Sequence, residues 1–289
     1  MKRPLFSCVI PVKGPRPYFD EALESLLSQG MGDDLEIIVQ DGDVESDNGQ
    51  SDALNKGFAK AKGEWLFWLN ADDVLLPDAL GKVRDFINRA ERVDGIMVDG
   101  GFINRVERVE RVEEIVGDGD FINRVERVER VEWIAGDTVY LDHGGIARDV
   151  RTDAKWYPWL GKKLSVWTGG PSSFFRRELW ERYGGFNVDL KYVMDIDLWT
   201  RWAKKGVKFK SVGRYVWGFR VHEGSKTMGG RNEKSHYEER AEVLKSHGLY
   251  KQQGWRNLTR MCSLLNGGWF KRLRDRKSFF GINWRDLTI

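Results

Sequence analysis

Residues 63–78 read GEWLFWLNADDVLLPD. Trp65-Leu66-Phe67-Trp68-Leu69 is a short apolar, aromatic run, the composition of a buried strand rather than of a helix. It passes without a break into Asn70-Ala71-Asp72-Asp73, so polar groups and two adjacent carboxylates stand where a strand leaves its sheet. In open α/β sheets ligands collect at the carboxyl ends of strands. Neighbouring carboxylates repel unless a cation sits beside them, and a hard divalent ion carrying a diphosphate would satisfy both. The competing reading is a turn that caps the next helix through Asp73 or Pro77-Asp78, since Asp and Asn are favoured there. The tetrapeptide alone does not separate the two.

Working outward, LFSCVIPV (5–12) and LEIIVQDG (35–42) read as strands. FDEALESLLSQG (19–30) reads as a helix with Leu23, Leu26 and Leu27 on its apolar face and Gly30 at its end. SDALNKGFAKAKG (51–63) reads as a second helix capped by Ser51 or Asp52. Strand–helix–strand–helix–strand is the signature of a mainly parallel sheet, so the fold class expected is α/β. Farther on, helices are expected over 172–183, closed by Gly184-Gly185, from about Asp195, and over 235–248. YVWGFRVHEGSKT (215–227) reads as a strand running into a Gly-Ser turn, and RDVRTDAKWYPWLGKKL (148–164) reads as a surface loop. Residues 85–137 hold a repeat: DFINRAERVD (85–94) returns as GFINRVERVERVEE (101–114) and DFINRVERVERVEW (120–133), each read as a helix followed by a short strand.

With 289 residues, 41% hydrophobic and 31% charged, the chain has enough apolar material for one large α/β domain, expected over 1–248, plus a C-terminal segment, 249–289. Cys8 and Cys262 have no metal spacing and no partner pattern, which points to a reducing compartment. No apolar run has the length of a membrane span, and the N-terminus reads as a first strand rather than a signal peptide; the expected location is cytoplasmic. Net charge is only +3, yet 255–289 holds eight Lys/Arg against Asp275 and Asp286, mixed with Trp255, Trp269, Phe270, Phe279, Phe280 and Trp284. That mixture suits an amphipathic cap on the main domain or a peripheral contact with anionic lipid. No nucleic-acid reader motif accompanies the charge, so no nucleic-acid partner is expected.

Three further constellations carry possible chemistry. Asp41-Gly42-Asp43 closes a strand, where a carboxylate accepts base or ribose hydrogen bonds or simply makes a turn. Met194-Asp195-Ile196-Asp197 opens a helix, where the N-terminus stabilises an ionised carboxylate; Asp195 is either a general base or a cap. In Arg220-Val221-His222-Glu223-Gly224-Ser225-Lys226, alternation puts Arg220 and His222 on one face; His222 is either a metal ligand or structural, and Lys226 and the Ser225 backbone are within reach of phosphates.

Taken in order, IPVKG, LEIIVQDG, GQSDALNKGFAKAKGEWLFWLNADDVLLPDAL, GGPSSFFRRELWERYGGFN, YVMDIDLWTRWAKKG and FRVHEGSKT resemble a family-2 glycosyltransferase of GT-A fold over roughly 5–245, the repeat excepted. The resemblance implies transfer of a sugar, with inversion, from a UDP-sugar or other nucleotide sugar to a glycan or lipid-linked saccharide acceptor, as in polysaccharide biosynthesis. It implies Mn²⁺ or Mg²⁺ held by Asp72 with Asp73 and His222, and Asp195 as base. Pro11, Val12 and Asp41 would line the base pocket; Asp52, Asn55 and Lys56 would lie near the nucleotide and donor sugar; Asn70 and Ala71 would complete the donor turn; Gly170 to Ser172 would lie between donor and acceptor; Lys226 would close over the diphosphate. Asn70 stands where the family has the first Asp of its metal motif, Met194 stands where it has Glu, and 43–49 is short. These departures motivate the alternative, a non-catalytic sugar- or nucleotide-binding relative. A nucleotidyltransferase would carry a Gly-rich phosphate loop after its first strand, which Lys13-Gly14-Pro15-Arg16 only faintly resembles.

Overall fold

The structure, a computed structural model, describes residues 2–93, 96–98, 101–103, 130–152, 169–226, 233–249 and 268–288. The chain divides into two compact units, residues 1–81 with 132–289, and residues 82–131. The larger unit includes the described C-terminal residues 268–288.

The chain runs β1 (Phe6–Val12), α1 (Phe19–Leu27), β2 (Leu35–Asp41), α2 (Gln50–Lys60), β3 (Trp65–Trp68), β4 (Val74–Leu75), α3 (Ala79–Val93), β5 (Ile96–Val98), β6 (Gly101–Ile103), β7 (Trp133–Leu141), β8 (Ala147–Arg151), β9 (Ser173–Arg176), α4 (Arg177–Tyr183), α5 (Met194–Lys204), β10 (Phe209–Arg220), α6 (Glu233–Ser246) and α7 (Gly268–Phe279). β5 and β6 form an antiparallel pair with Ile96 opposite Ile103. Most of the repeat lies outside the described residues, but Gly101–Ile103, expected to begin a helix, is strand.

The larger unit is an eight-stranded sheet in the order β2-β1-β3-β9-β7-β10-β4, with β8 on β7. β2, β1 and β3 are parallel to one another, with Val12 opposite Asp41 and Val9 opposite Trp68. β9 runs against both β3 and β7, and β10 is parallel to β7. β1 and β3 are buried along nearly their whole length, as strands covered on both faces must be, which is why they read as continuous apolar runs.

Four expectations are corrected. Residues 172–176 are not helix: Ser173–Arg176 is the strand β9, all four residues buried. Helix begins only at Arg177 and stops at Gly184, which takes φ 76°. Residues 148–151, expected in a loop, pair with β7 as part of β8, Val150 opposite Val139; 153–168 lie outside the described residues. Neither Ser51 nor Asp52 caps α2. The helix starts one residue earlier, and the cap position falls to Gly49 at φ 115°, a region that suits glycine. α1 buries Leu26 but turns Leu27 to solvent.

One apolar cluster packs α2, α4 and α5 on the sheet, and its centre is aromatic. Trp133 and Trp199 stack with centroids 4.7 Å apart, and Trp68 lies 6.1 Å from Trp199. Such pairs contribute roughly 0.5–1.5 kcal/mol beyond their burial. They also clamp the end of β3 to α5, the two elements that carry Asn70–Asp73 and Asp195. A second cluster gathers Val139, Leu141, Val150, Tyr215, Trp284 and Leu287, with Phe279 packed against it. The C-terminal aromatics thus divide: Trp284 is buried, while Trp269, Phe270 and Phe280 are exposed.

Candidate functional site

A cleft of about 630 Å³ opens at the carboxyl ends of β1, β3 and β10, as the parallel half of the sheet requires. Its wall includes Pro11, Val12, Arg16 and Tyr18 at the end of β1 and beyond it, Gln50 and Ala53 on α2, Trp68, Asn70, Ala71 and Asp72 at the end of β3 and beyond it, Gly170 and Pro171 before β9, Tyr192, Met194 and Asp195 at α5, and Trp217, Phe219, His222 and Lys226 along and beyond β10. Segments up to 215 residues apart in sequence, Pro11 to Lys226, thus face one volume.

The β3 turn is fixed from behind. Asp73 is fully buried. Its Oδ1 accepts from the backbone N–H of Arg220 at 2.9 Å and its Oδ2 from the Asn70 amide at 2.7 Å. Burial first, and the Asp72 carboxylate second, push its pKa well above the usual carboxylate range. Asp73, expected as a metal ligand, therefore ties β3 to β10 behind the cleft. Asn70 is also committed: its Oδ1 accepts from Gln50 Nε2 at 2.8 Å, and Gln50 Oε1 accepts from Lys226 Nζ at 3.3 Å. Arg220, completely buried, donates through Nε to the Asp72 carbonyl, through Nη1 to the His143 carbonyl and through Nη2 to Glu21. Its guanidinium lies 4.5 Å from the Tyr18 ring centre.

Asp72 is the carboxylate left facing the cleft. His222 Nε2 lies 3.1 Å from its Oδ2, and the His222 ring packs on Tyr18 with centroids 5.0 Å apart. The Gly224 N–H points at His222 Nδ1 at 3.1 Å. That bond assigns the neutral ring's proton to Nε2, where it is donated to Asp72. Arg220 and His222 both reach Asp72, the first at its backbone carbonyl and the second at its carboxylate.

Asp195 opens α5. Its Oδ1 accepts from the N–H of Ile196 at 2.8 Å, and burial in the cleft wall pushes its pKa up to about 6, against the helix N–H bonds and Arg151, which pull it down. Gly170 makes room for it: a Cβ there would stand 3.3 Å from Asp195 Oδ2 and 2.3 Å from Trp68 Cζ2.

Of the residues expected at the nucleotide, Pro11, Val12, Asn70, Ala71, Asp72 and Lys226 line the cleft. Asp41, Asp52, Asn55 and Lys56 stand off its wall, and each has another task. Asp41 accepts from Arg16 at 2.7 Å, which draws its pKa down and positions an arginine that does reach the cleft. Asp52 accepts from the N–H of Asn48 and pairs with Lys56 at 3.0 Å, one helical turn on, and Lys56 donates to the Ser46 carbonyl. Asn55 exchanges two hydrogen bonds with the backbone of Phe186. These four brace the short 43–49 segment and the α4–α5 connection. Sequence reading missed Arg16, Tyr18, Gln50, Tyr192, Trp217 and Phe219; their types are unremarkable in isolation, and only the strand order brings them together.

Among the described residues no three or more His, Cys, Asp or Glu side chains gather around one point. Mg²⁺ and Mn²⁺ do not need such a cage when a diphosphate and water supply the remaining oxygens. Asp72 fits that role. His222 fits it only if Nε2 loses its proton, which makes Nδ1 the protonated nitrogen and breaks the Gly224 bond.

Residues 43–149 match the family model for glycosyl transferase family 2. A PGL/p-HBAD biosynthesis glycosyltransferase of Mycobacterium bovis is 31% identical over 123 residues, 34% of this chain and 48% of that protein. An uncharacterized glycosyltransferase of Rickettsia felis is 29% identical over 119 residues, 34% of this chain and 19% of its own length. The match thus spans about half or less of these curated relatives. Among solved structures, S. aureus TarS 1-349 in complex with UDP-GlcNAc superposes with a TM-score of 0.54 at 14% identity, over 83% of this chain and 65% of that one. The fold is that of the GT-A glycosyltransferases. Over residues 43–149 the chain is therefore similar to family-2 glycosyltransferases.

Proposed function

We propose that the protein transfers a sugar from a nucleotide-diphosphate donor, a UDP-sugar in the first instance, to the hydroxyl of a glycan or lipid-linked saccharide, with inversion at the anomeric carbon. The observation that carries this reading is the cleft itself, where Asp195, raised to about 6, faces the same volume as Asp72. A base with a pKa just below neutral is largely ionised at pH 7 yet still basic enough to take a proton. Asp195 accepts the acceptor hydroxyl's proton as its oxygen attacks the anomeric carbon, and the nucleoside diphosphate leaves from the opposite face of the sugar. Arg16 and Tyr18 bind the nucleotide end, and Lys226 meets the diphosphate. Asp72 is the residue to hold Mg²⁺ or Mn²⁺, which supplies charge neutralisation for the leaving diphosphate.

The reading is tested by incubating the protein with UDP-sugars and Mn²⁺, with and without saccharide acceptors. Release of UDP that is faster with acceptor, and abolished by chelation, supports it. Full transfer by Asp195→Asn would remove Asp195 as base. Tight nucleotide binding without release under any acceptor would favour the non-catalytic relative.

A further inference from the structure

We propose that Glu239, on α6, is a positioning residue for Asp195; the inference rests on the reading of Asp195 as base. α5 receives no side-chain cap from its own N-cap residue, Val193. Instead the Glu239 carboxylate accepts from three successive backbone N–H groups just ahead of the helix: Lys191 at 2.9 Å, Tyr192 at 2.7 Å and Val193 at 3.0 Å. Charge-assisted bonds of this kind are roughly twice as strong as neutral ones, and three converging on one carboxylate fix the turn's position. Ser51 on α2 donates to the preceding carbonyl, Leu190, at 2.9 Å. The catalytic side chain inherits this placement, because Asp195 Oδ1 is bound to the Ile196 N–H of the same helix turn. A shift of the 191–193 backbone therefore moves the carboxylate with it. The same turn meets Lys226: Tyr192, whose N–H Glu239 holds, has the Lys226 ammonium 5.7 Å from its ring centre.

The test is a kinetic cycle. Glu239→Ala is expected to lower kcat about 100-fold, the effect of displacing a reacting group by about 1 Å, with donor KM within about twofold. Glu239→Gln keeps a carbonyl oxygen for the same N–H groups and should recover about tenfold of that loss. In the Asp195→Asn background, Glu239→Ala should reduce the residual transfer no further, because the group it positions is gone. An unchanged kcat, or the same fold-loss in both backgrounds, overturns the proposal. Full transfer by Asp195→Asn alone overturns the base assignment instead, so the two failures are distinct. Should Glu239→Ala not fold, Glu239→Gln carries the cycle: a loss confined to the Asp195 background supports positioning, and a parental kcat overturns it.

Discussion

The Asn70 amide donates to Asp73 Oδ2 at 2.7 Å, behind a turn whose other carboxylate, Asp72, faces the cleft. This pairing explains why an amide stands at position 70. Asp73 is buried and its pKa is raised, so a second carboxylate against it would leave like charges in contact without a donor. Asn70→Asp restores the family's first metal-motif aspartate in sequence but removes that donor. It is expected to destabilise the fold by about 1–3 kcal/mol at alkaline pH, with the loss shrinking at acidic pH as the pair shares a proton, and not to tighten Mn²⁺ binding. Thermal melts at alkaline and acidic pH, with Mn²⁺ titrations, decide; a stable variant with higher Mn²⁺ affinity would contradict the arrangement.

Asp195 yields a pH prediction with a definite sign. The ionised form is the base, so kcat/KM should rise with pH and reach half its plateau near pH 6, falling tenfold per unit below that. The same shift acts on stability in the opposite sense. A carboxyl whose folded pKa lies above its unfolded value near 3.8 destabilises the fold progressively from about pH 4 to 6, and fully above it. Asp195→Asn should therefore raise Tm at pH 8 and leave it nearly unchanged at pH 4, while cutting transfer to a small residual rate. An acid limb unmoved from pH 4, or a Tm gain equal at both pH values, would contradict the burial of this group.

Gly170 lies between Trp68 and Asp195. An added Cβ would meet Trp68 Cζ2 at 2.3 Å, and Trp68 has no room to yield because it packs on Phe186 and Trp199, with centroids 5.2 and 6.1 Å away. Gly170→Ala should cost about 1–3 kcal/mol of stability and lower kcat at least about tenfold by displacing the base or the donor's reacting end. Unfolding curves and steady-state rates measured together test this; a variant with parental kcat would show that the 169–172 segment gives way instead.

Much of this was legible in the sequence because local signals and tertiary context agreed. The β1–α1–β2–α2–β3 run, the end of β3 and the start of α5 each followed from apolar runs, breakers and polar ends. β9 was not legible. Ser173-Phe174-Phe175-Arg176 is four residues long, is buried on both faces between two antiparallel neighbours and runs directly into Arg177 of the next helix, so neither alternation nor a breaker marks it. The division of labour at 72–73 was equally hidden: two adjacent aspartates look alike until Arg220, 147 residues on, takes one of them. Asp52, Asn55 and Lys56 have the types and position of ligand-binding residues, yet face the backbone they brace.

The last prediction concerns the exposed side of α7. Its inward face holds the buried Asp275, which accepts from Tyr215 Oη at 2.9 Å, and Lys271, paired with Asp137. Outward, Trp269, Phe270 and Leu273 are 44%, 64% and 46% exposed, and Phe280 just past the helix end is 57% exposed. Spaced by one, three and seven residues, with Arg276 and Lys277 before the last of them, they form an apolar strip edged by cations, the composition that sits at a lipid headgroup boundary. Some of that charge is already used, since Arg272 and Arg276 both lie against Asp149; burial of the aromatics, rather than charge, should therefore dominate binding. The protein is expected to co-sediment with vesicles containing anionic lipid. Trp269→Ser with Phe270→Ser should weaken that partition at least about tenfold, since each buried aromatic contributes roughly 1.5–3 kcal/mol, while salt should weaken it only modestly. Equal sedimentation of parent and double variant would mean that this strip does not meet a membrane.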